Sequence, residues 1–141
     1  MMKKVLVMLL FLTTIVSAES KKMNNDRWYT TNQVNKGQKI FIKNCSSCHG
    51  KQAEKTINWK KKLKDGSYPP PPLNGTAHAW HHPNSQLKRI IANGGKSYDG
   101  KMPAFKDILN KSDIETVMAY FQSFWKDDIY DLWLKNGGLT R

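Results

Sequence analysis

The sequence predicts an all-α fold with three core helices and one further helix at the C-terminal end. Three observations predict it. Apolar residues recur at helical spacing in several separate stretches, as they do when one face of each helix is buried. Residues that typically begin and end helices flank these stretches. No stretch alternates apolar and polar residues as a strand would, and the 141 residues suit a single domain.

The first residues are expected to direct export rather than to fold. Lys3 and Lys4 precede an apolar run from Val5 to Val16, and small residues follow up to Ala18. This is the layout of a secretory signal peptide, and we expect cleavage after about Ala18. An uncleaved anchor is the alternative, but the run is shorter than the roughly 20 residues that span a bilayer. Polar residues 19–31 should form a flexible segment, and we expect no stable membrane span after cleavage.

The first core helix is expected over residues 33–44, with Asn32 as its N-cap. After a turn, residues 51–67 follow as a variable insert. Within it, Trp59 and Leu63 could share one face of a short helix while the lysines around them face water. Of all the stretches in the chain, this one has the secondary structure that the sequence pattern defines least.

The middle of the chain should be extended and then helical. A run of four prolines at 69–72 cannot lie inside a helix. A second helix is expected over residues 86–93, introduced by Asn84 or Ser85. Gly94-Gly95 should end it. A loop then leads to the third core helix.

The third core helix should open at Ser112, because Glu115 lies three residues further on at capping-box spacing. A last helix should follow Asp127 and end before Gly137. The third helix has an apolar stripe at helical spacing: Ile114, Val117, Met118, Phe121 and Phe124.

The chain has only two cysteines, and they stand in one motif. Cys45, Cys48 and His49 form C-x-x-C-H, the haem c attachment signature. Two thiols on one turn can add to two haem vinyl groups, and the next residue then places an imidazole at the iron. A thioredoxin-like pair needs a βαβ context, a zinc site needs four ligands, and a simple disulfide gives His49 no role. We therefore predict one covalently bound haem c per chain, with iron bound by His49.

The sixth iron ligand has several candidates, of which Met102 leads. It lies in a polar loop, where a methionine has little packing role, and a thioether ligand raises the haem potential. A gap-filling methionine is the alternative. Met118 fits that alternative better, because it belongs to a helix stripe. Met23 lies in the expected flexible segment.

His78, His81 and His82 compete with Met102 for the iron. They could also bind another metal or form local hydrogen bonds. A structural or surface imidazole is the usual role of a single histidine, since a metal site needs several ligands. These residues leave two further function classes open. One is an open-site haem enzyme such as a peroxidase. The other is a haem- or copper-handling accessory protein, or the haem c subunit of a larger redox complex.

With these residues in place, the chain resembles class I c-type cytochromes over about Val34 to Phe124. In that family the attachment motif ends the first helix, and a methionine ligand comes from a loop before the last helix. His49 and Met102 have that order. The resemblance implies a cytochrome c domain over residues 32–124, followed by a helical extension over 125–141.

The resemblance also implies a helix crossing and two contacts. Gly37 and Phe41 of the first helix should cross Tyr120 of the third. The carbonyl of Pro71 should accept a hydrogen bond from Nδ1 of His49, which orients the ligand.

Two parts of that comparison stay open. Pro72 is the alternative acceptor, because a four-proline run leaves the alignment ambiguous by one residue. Trp80 could donate its indole N–H to a haem propionate, or it could be an ordinary core or rim tryptophan.

A haem with two axial ligands has no position for substrate, and the sequence shows no paired carboxylates, nucleophile–base pair or phosphate loop. We therefore expect a one-electron carrier and not an enzyme. The net charge of +12 favours redox partners with acidic surfaces. Nucleic acid, the other usual partner of such charge, is disfavoured by export to the bacterial periplasm. The densest basic stretch could be a docking face or a solvated charge run: Lys51, Lys55, Lys60, Lys61, Lys62 and Lys64.

Overall fold

A computed structural model describes residues 27–140. The predicted signal peptide, Met23 and most of the predicted flexible segment lie outside the described residues. Within residues 27–140 there is no β-strand, and the prediction of an all-α fold is confirmed. One isolated bridge pairs Tyr68 with Gly100. The α-helices are α1 (Thr31–Asn44), α2 (Ser46–His49), α3 (Asn84–Asn93), α4 (Lys111–Gln122) and α5 (Asp127–Lys135), with short 3-10 helices at Ala79–His81 and Lys96–Tyr98.

Helices α1 and α4 cross in close contact, and Gly37 makes the contact possible. A Cβ atom on Gly37 would lie 1.7 Å from the carbonyl oxygen of Thr116, so no larger residue fits without moving a helix. One turn further along, the Phe41 and Tyr120 rings pack with centroids 5.2 Å apart. The predicted crossing of Gly37 and Phe41 with Tyr120 is confirmed. It fixes the start of the attachment motif relative to the last core helix.

Helix α1 begins earlier than the sequence predicted. Thr30 is its N-cap: its side chain accepts a hydrogen bond from the backbone N–H of Gln33, and the Gln33 side chain accepts one from the Thr30 N–H. The prediction of Asn32 as N-cap was wrong, because the reciprocal Thr30–Gln33 pair satisfies two N–H groups at once.

Helix α4 also begins earlier, at Lys111. Asn110 is its N-cap and exchanges side-chain bonds with Asp113. The predicted Ser112–Glu115 capping box was wrong. Glu115 instead forms an ion pair with Lys88 of α3, at 2.6 Å between Nζ and Oε1.

The C-terminal extension packs against the core. Trp133 of α5 is 1 % exposed, and its indole N–H donates to the carbonyl oxygen of His82 at 2.9 Å. Trp125, just before α5, donates its indole N–H to the carbonyl oxygen of Leu73 at 2.7 Å. The two indoles therefore hold both ends of the loop that runs from residue 73 to residue 82.

The end of the predicted flexible segment is bound to this extension. The indole N–H of Trp28 donates to Oε1 of Gln122 at 2.5 Å, and its backbone N–H donates to the hydroxyl of Tyr130 at 2.8 Å. The guanidinium of Arg27 contacts the carbonyl oxygen of Trp125 at 3.2 Å. Residues 27–30, at the end of the segment predicted to be flexible, therefore make specific contacts with the other end of the chain.

The insert at residues 51–67 consists of turns and not of the predicted short helix. Its backbone bonds are not helical: Thr56 N–H donates to the Pro70 carbonyl at 2.9 Å, and Leu63 N–H donates to the Ser67 carbonyl at 2.8 Å. The insert therefore folds onto the proline run that follows it.

None of the helices in residues 27–140 has the length and apolar character needed to span a membrane.

Candidate cofactor site

A cavity of about 540 Å³ lies between α1, α3, α4 and the loops that join them. Five residues that the sequence predicted for the site line it: Cys45, Cys48, His49, Pro71 and Met102. The remaining wall is largely apolar and includes Phe41, Leu87, Ile91, Phe105, Val117 and Phe121. The structure thus brings the two thiols, the imidazole and the thioether to one apolar space.

The two thiols occupy different environments. Cys45, at the end of α1, is 8 % exposed, whereas Cys48 in α2 is exposed, and both are free. Burial, with a smaller contribution from the neighbouring Cys48 thiol, raises the pKa of Cys45 to about 11. The backbone N–H of Cys45 donates to the Phe41 carbonyl at 2.8 Å, which anchors the motif to α1.

His49 is buried, and its ring is oriented by one hydrogen bond. Nδ1 lies 2.9 Å from the carbonyl oxygen of Pro71. Since a carbonyl only accepts, Nδ1 carries the proton and Nε2 is left with a free lone pair. Burial lowers the pKa of His49, which favours this neutral form. The acceptor is Pro71 and not Pro72, which resolves the ambiguity in the proline run.

The Met102 loop is held by the two glycines that end α3. Gly95 donates its N–H to the carbonyl oxygen of Met102 at 2.9 Å. A Cβ atom on Gly94 would lie 2.7 Å from that same oxygen, and Gly94 has a positive φ of 85°. The sequence indicated only that these glycines end a helix. Their second role, close approach of the Met102 backbone, depends on a contact that sequence spacing does not reveal.

The insert braces the Met102 loop from the outside. Lys62 forms an ion pair with Asp99 at 3.0 Å, and Lys101 forms another with Asp65. The backbone N–H of Tyr68 donates to the carbonyl oxygen of Asp99 at 2.8 Å. The Asp99 carboxylate raises the pKa of the Lys62 ammonium through this hydrogen bond and its charge. Lys62 is thus engaged within the chain.

The histidine cluster divides into two groups. His78 and His82 line the cavity, whereas His81 is exposed and lies outside the lining. Trp80 also lies outside the lining, with its ring centroid 3.8 Å from that of His81. In the part of the chain described, no group of three or more His, Cys, Asp or Glu residues could hold a metal ion, so a separate copper site finds no support there.

Trp59 is the cavity residue that sequence reasoning missed. It lines the cavity and stacks on His78, with ring centroids 4.4 Å apart and an angle of 19° between the planes. The available signal was a large aromatic residue in a stretch dominated by lysines. The sequence pattern alone suggests a place for Trp59, with Leu63, on one face of a short helix.

The chemistry of these donors fits a haem. The haem ring is apolar, like the cavity wall, and the haem iron accepts neutral imidazole and thioether ligands. The thiols of Cys45 and Cys48, which both line the cavity, can form the covalent attachment. His49 would bind the iron, and the other lining residues with a donor that iron accepts are Met102, His78 and His82.

The fold and this site define a class I c-type cytochrome, as the sequence resemblance implied. The chain belongs to the family described as cytochrome c oxidase, cbb3-type, subunit III, whose model matches residues 32–121. That match covers most of the described residues. As a cytochrome c domain, the chain takes part in haem-based electron transfer with redox partners. No curated protein and no solved structure matches it.

Proposed function

We propose that this chain is a periplasmic one-electron carrier. It holds one haem c through thioether bonds from Cys45 and Cys48, with His49 and Met102 as axial ligands to the iron. When bound, the haem supplies a centre that accepts and releases one electron. The chain attaches it, orients it and excludes water from it.

The hydrogen bond from Nδ1 of His49 to the Pro71 carbonyl is the observation that carries the proposal. It fixes the tautomer in which Nε2 can bind a metal, and it raises the basicity of the ligand. A histidine that served only to fill the core would not need its second nitrogen left free beside two unpaired thiols.

Met102 is supported as the second ligand by its place in the cavity and by its braced loop. Gly95 holds its backbone, and the Lys62–Asp99 ion pair ties the loop to the insert. A loop restrained on two sides keeps a weak thioether bond in place, because little conformational entropy is lost when the bond forms.

The periplasmic location rests on the layout of residues 1–18, which is that of a secretory signal peptide. The acidic docking surface of the partner rests on the net charge of +12. Trp80 lies outside the cavity lining. If its indole N–H donates to a haem propionate, it does so at the surface of the protein and not inside the cavity.

A covalent mass measurement tests the attachment. The full chain is produced in a bacterium that exports it and attaches haem c, then denatured and weighed. We expect the chain without residues 1–18 plus the mass of one haem. Because each thiol adds across a vinyl double bond, no atoms are lost. Replacement of both Cys45 and Cys48 by serine should remove the haem, while Ser47→Ala should not. A denatured wild-type chain without haem would contradict the proposal.

A second candidate function is that of a haem c subunit in a larger redox complex. The description of the matching family names an oxidase subunit, and this observation favours it. The test is the size of the protein extracted from its native host under mild conditions. A free carrier elutes at the size of one chain, whereas a subunit elutes with its complex.

A further inference from the structure

The proline run that carries the acceptor for His49 has few backbone atoms that can hold it. Pro69 to Pro72 have no backbone N–H, so this run can form hydrogen bonds only through its carbonyl oxygens. One of these carbonyls, that of Pro71, is the partner of Nδ1 of His49. The position of that acceptor therefore depends on the flanking residues, above all on Leu73, the first residue after the run that has an N–H.

Leu73 is held by two hydrogen bonds from opposite parts of the chain. Its N–H donates to the carbonyl oxygen of Ala53 at 2.7 Å, and its carbonyl oxygen accepts the indole N–H of Trp125 at 2.7 Å. Within the run, the carbonyl oxygen of Pro70 accepts the N–H of Thr56 at 2.9 Å. Ala53 and Thr56 belong to the insert, which directly follows the attachment motif. Trp125 is the anchor that comes from the C-terminal extension.

The Trp125 side chain is itself fixed in orientation. It is buried, and its ring meets that of Trp133 nearly edge-on, with centroids 5.7 Å apart and an angle of 81° between the planes. The ring of Phe121, which lines the cavity, lies 6.4 Å from it between centroids. A Cβ atom on Gly75 would lie 3.2 Å from Cδ1 of Trp125, so the loop backbone covers the indole closely. A donor restrained in this way loses little conformational entropy when it holds the Leu73 carbonyl.

We propose that Trp125 is a positioning residue for the iron ligand His49. Its indole N–H fixes the carbonyl of Leu73, and this keeps the carbonyl of Pro71, two residues earlier, against Nδ1 of His49. The C-terminal extension thereby tunes the reduction potential of the haem. The inference rests on the haem site proposed above.

The hydrogen bond between His49 and Pro71 gives the direction of the effect. A firmly held acceptor on Nδ1 makes the imidazole a more basic ligand. The oxidised iron carries one more positive charge than the reduced iron, so a more basic ligand stabilises the oxidised state more, and hydrogen bonding behind the ligand is one of the means by which a protein sets a haem potential. The bond from Trp125 should therefore lower the reduction potential, and its loss should raise it.

The experiment measures two properties of the haem-loaded full chain: its reduction potential and the solvent exchange of the Nδ1 proton of His49, followed by NMR in the reduced state. Trp125→Phe loses the indole N–H. Trp133→Phe is the matched control, because it loses the same kind of bond to another carbonyl of the same loop. We expect Trp125→Phe to raise the potential and to speed the exchange about tenfold, the size of effect that one buried hydrogen bond has. Trp133→Phe should leave both properties unchanged.

A second replacement at the same position covers the case in which Trp125→Phe does not fold with haem. Benzothienylalanine keeps the two fused rings of tryptophan and has sulfur in place of the N–H. In place of Trp125 it preserves the packing and removes only the donor. We expect it to raise the potential and to speed the exchange as Trp125→Phe does.

Three results would overturn the inference. One is a potential that stays the same or falls in the two Trp125 replacements, and another is an unchanged exchange of the His49 proton. The third is an equal change in Trp133→Phe, because the effect would then follow from a loosened loop and not from the link to His49. A wild-type chain without haem overturns the proposed function itself, whereas these three results leave that function intact.

Discussion

The indole N–H of Trp133 donates a hydrogen bond to the carbonyl oxygen of His82, at a distance of 2.9 Å. The bond joins the C-terminal extension to the loop that carries the cavity histidines. Asn84, two residues after His82, also donates its backbone N–H to the carbonyl oxygen of Gly138 at 2.8 Å. The extension is therefore part of the structure that shapes the cofactor site.

The first prediction concerns a variant that lacks the bond between Trp133 and His82. Trp133→Phe keeps most of the ring but leaves the His82 carbonyl without its donor, so we expect unfolding to require about 1–3 kcal/mol less free energy. Chemical denaturation followed by circular dichroism measures it. Ile57→Ala, at an aliphatic residue that is 90% exposed, is the control and should change stability by no more than about 0.5 kcal/mol. Equal losses in the two variants would show that the Trp133 bond is not special.

The crossing of α1 and α4 predicts a larger effect at Gly37. Gly37→Ala places a Cβ atom 1.7 Å from the Thr116 carbonyl oxygen, so the helices must separate. We expect a loss of about 3 kcal/mol or more, at the upper end of overpacking effects. Gln38→Ala, an exposed neighbour in the same helix, should cost little. Denaturant midpoints compare the two. A Gly37→Ala protein as stable as the wild type would contradict the observed crossing.

Sequence patterns could predict the parts of this molecule that are local along the chain. The apolar stripe of α4 and the Gly37–Phe41 spacing each lie within one helix, and the attachment motif lies within residues 45–49. The caps were harder, because Thr30 and Asn32 are both suitable N-cap residues and only the reciprocal bond with Gln33 decides between them.

Contacts between distant elements could be predicted only where the family resemblance implied them, as for His49 with Pro71 and for Gly37 and Phe41 with Tyr120. Trp59 and His78 are brought together by the path of the insert and the proline run. The bond between Trp28 and Gln122 joins residues 94 positions apart. In the sequence, neither Trp59 nor Trp28 has a periodicity, a spacing or neighbours that distinguish it from an exposed aromatic residue.

Alkaline pH should loosen the contact between the N-terminal segment and α5. Burial raises the pKa of Tyr29 to about 12, from an ordinary value of 10.0. Since the folded state holds this proton more tightly than the unfolded state, the contribution of Tyr29 to stability is full below pH 10 and is lost as pH rises toward 12.

Tyr29→Phe tests that sign. The fall in denaturant midpoint between about pH 9 and about pH 11 should be smaller in this variant than in the wild type, because Phe does not titrate. Tyr98→Phe, at an exposed tyrosine, is the control and should leave the fall unchanged. An identical pH dependence in all three proteins would show that Tyr29 does not contribute to the loss of stability at alkaline pH.

The lysines of the insert should speed the encounter with anionic redox partners. Replacing Lys60, Lys61 and Lys64 with glutamate should slow oxidation of the reduced protein by ferricyanide about tenfold at low salt. The difference should shrink strongly at about 1 M salt, where the screening length is about 3 Å. Stopped-flow absorbance measures the rate.

A matched control separates the position of these charges from their number. Lys111, Lys126 and Lys135 are exposed and lie on or beside α4 and α5. Their replacement by glutamate gives the same net charge, and we expect a smaller effect on the rate. Equal slowing in the two triple variants would show that only net charge matters and that the insert is not a docking face.

The ligation of the iron by His49 and Met102 is the central claim, and optical spectra of the exported protein test it most directly. Wild type, Met102→Ala and the neighbouring control Pro103→Ala are compared in both redox states. We predict sharp haem c bands in reduced wild type, and in the oxidised form the weak long-wavelength band of iron–methionine ligation. That band should be lost in Met102→Ala alone. A Met102→Ala spectrum identical to wild type would contradict the claim and leave a histidine ligand or an open enzymatic site as the explanation.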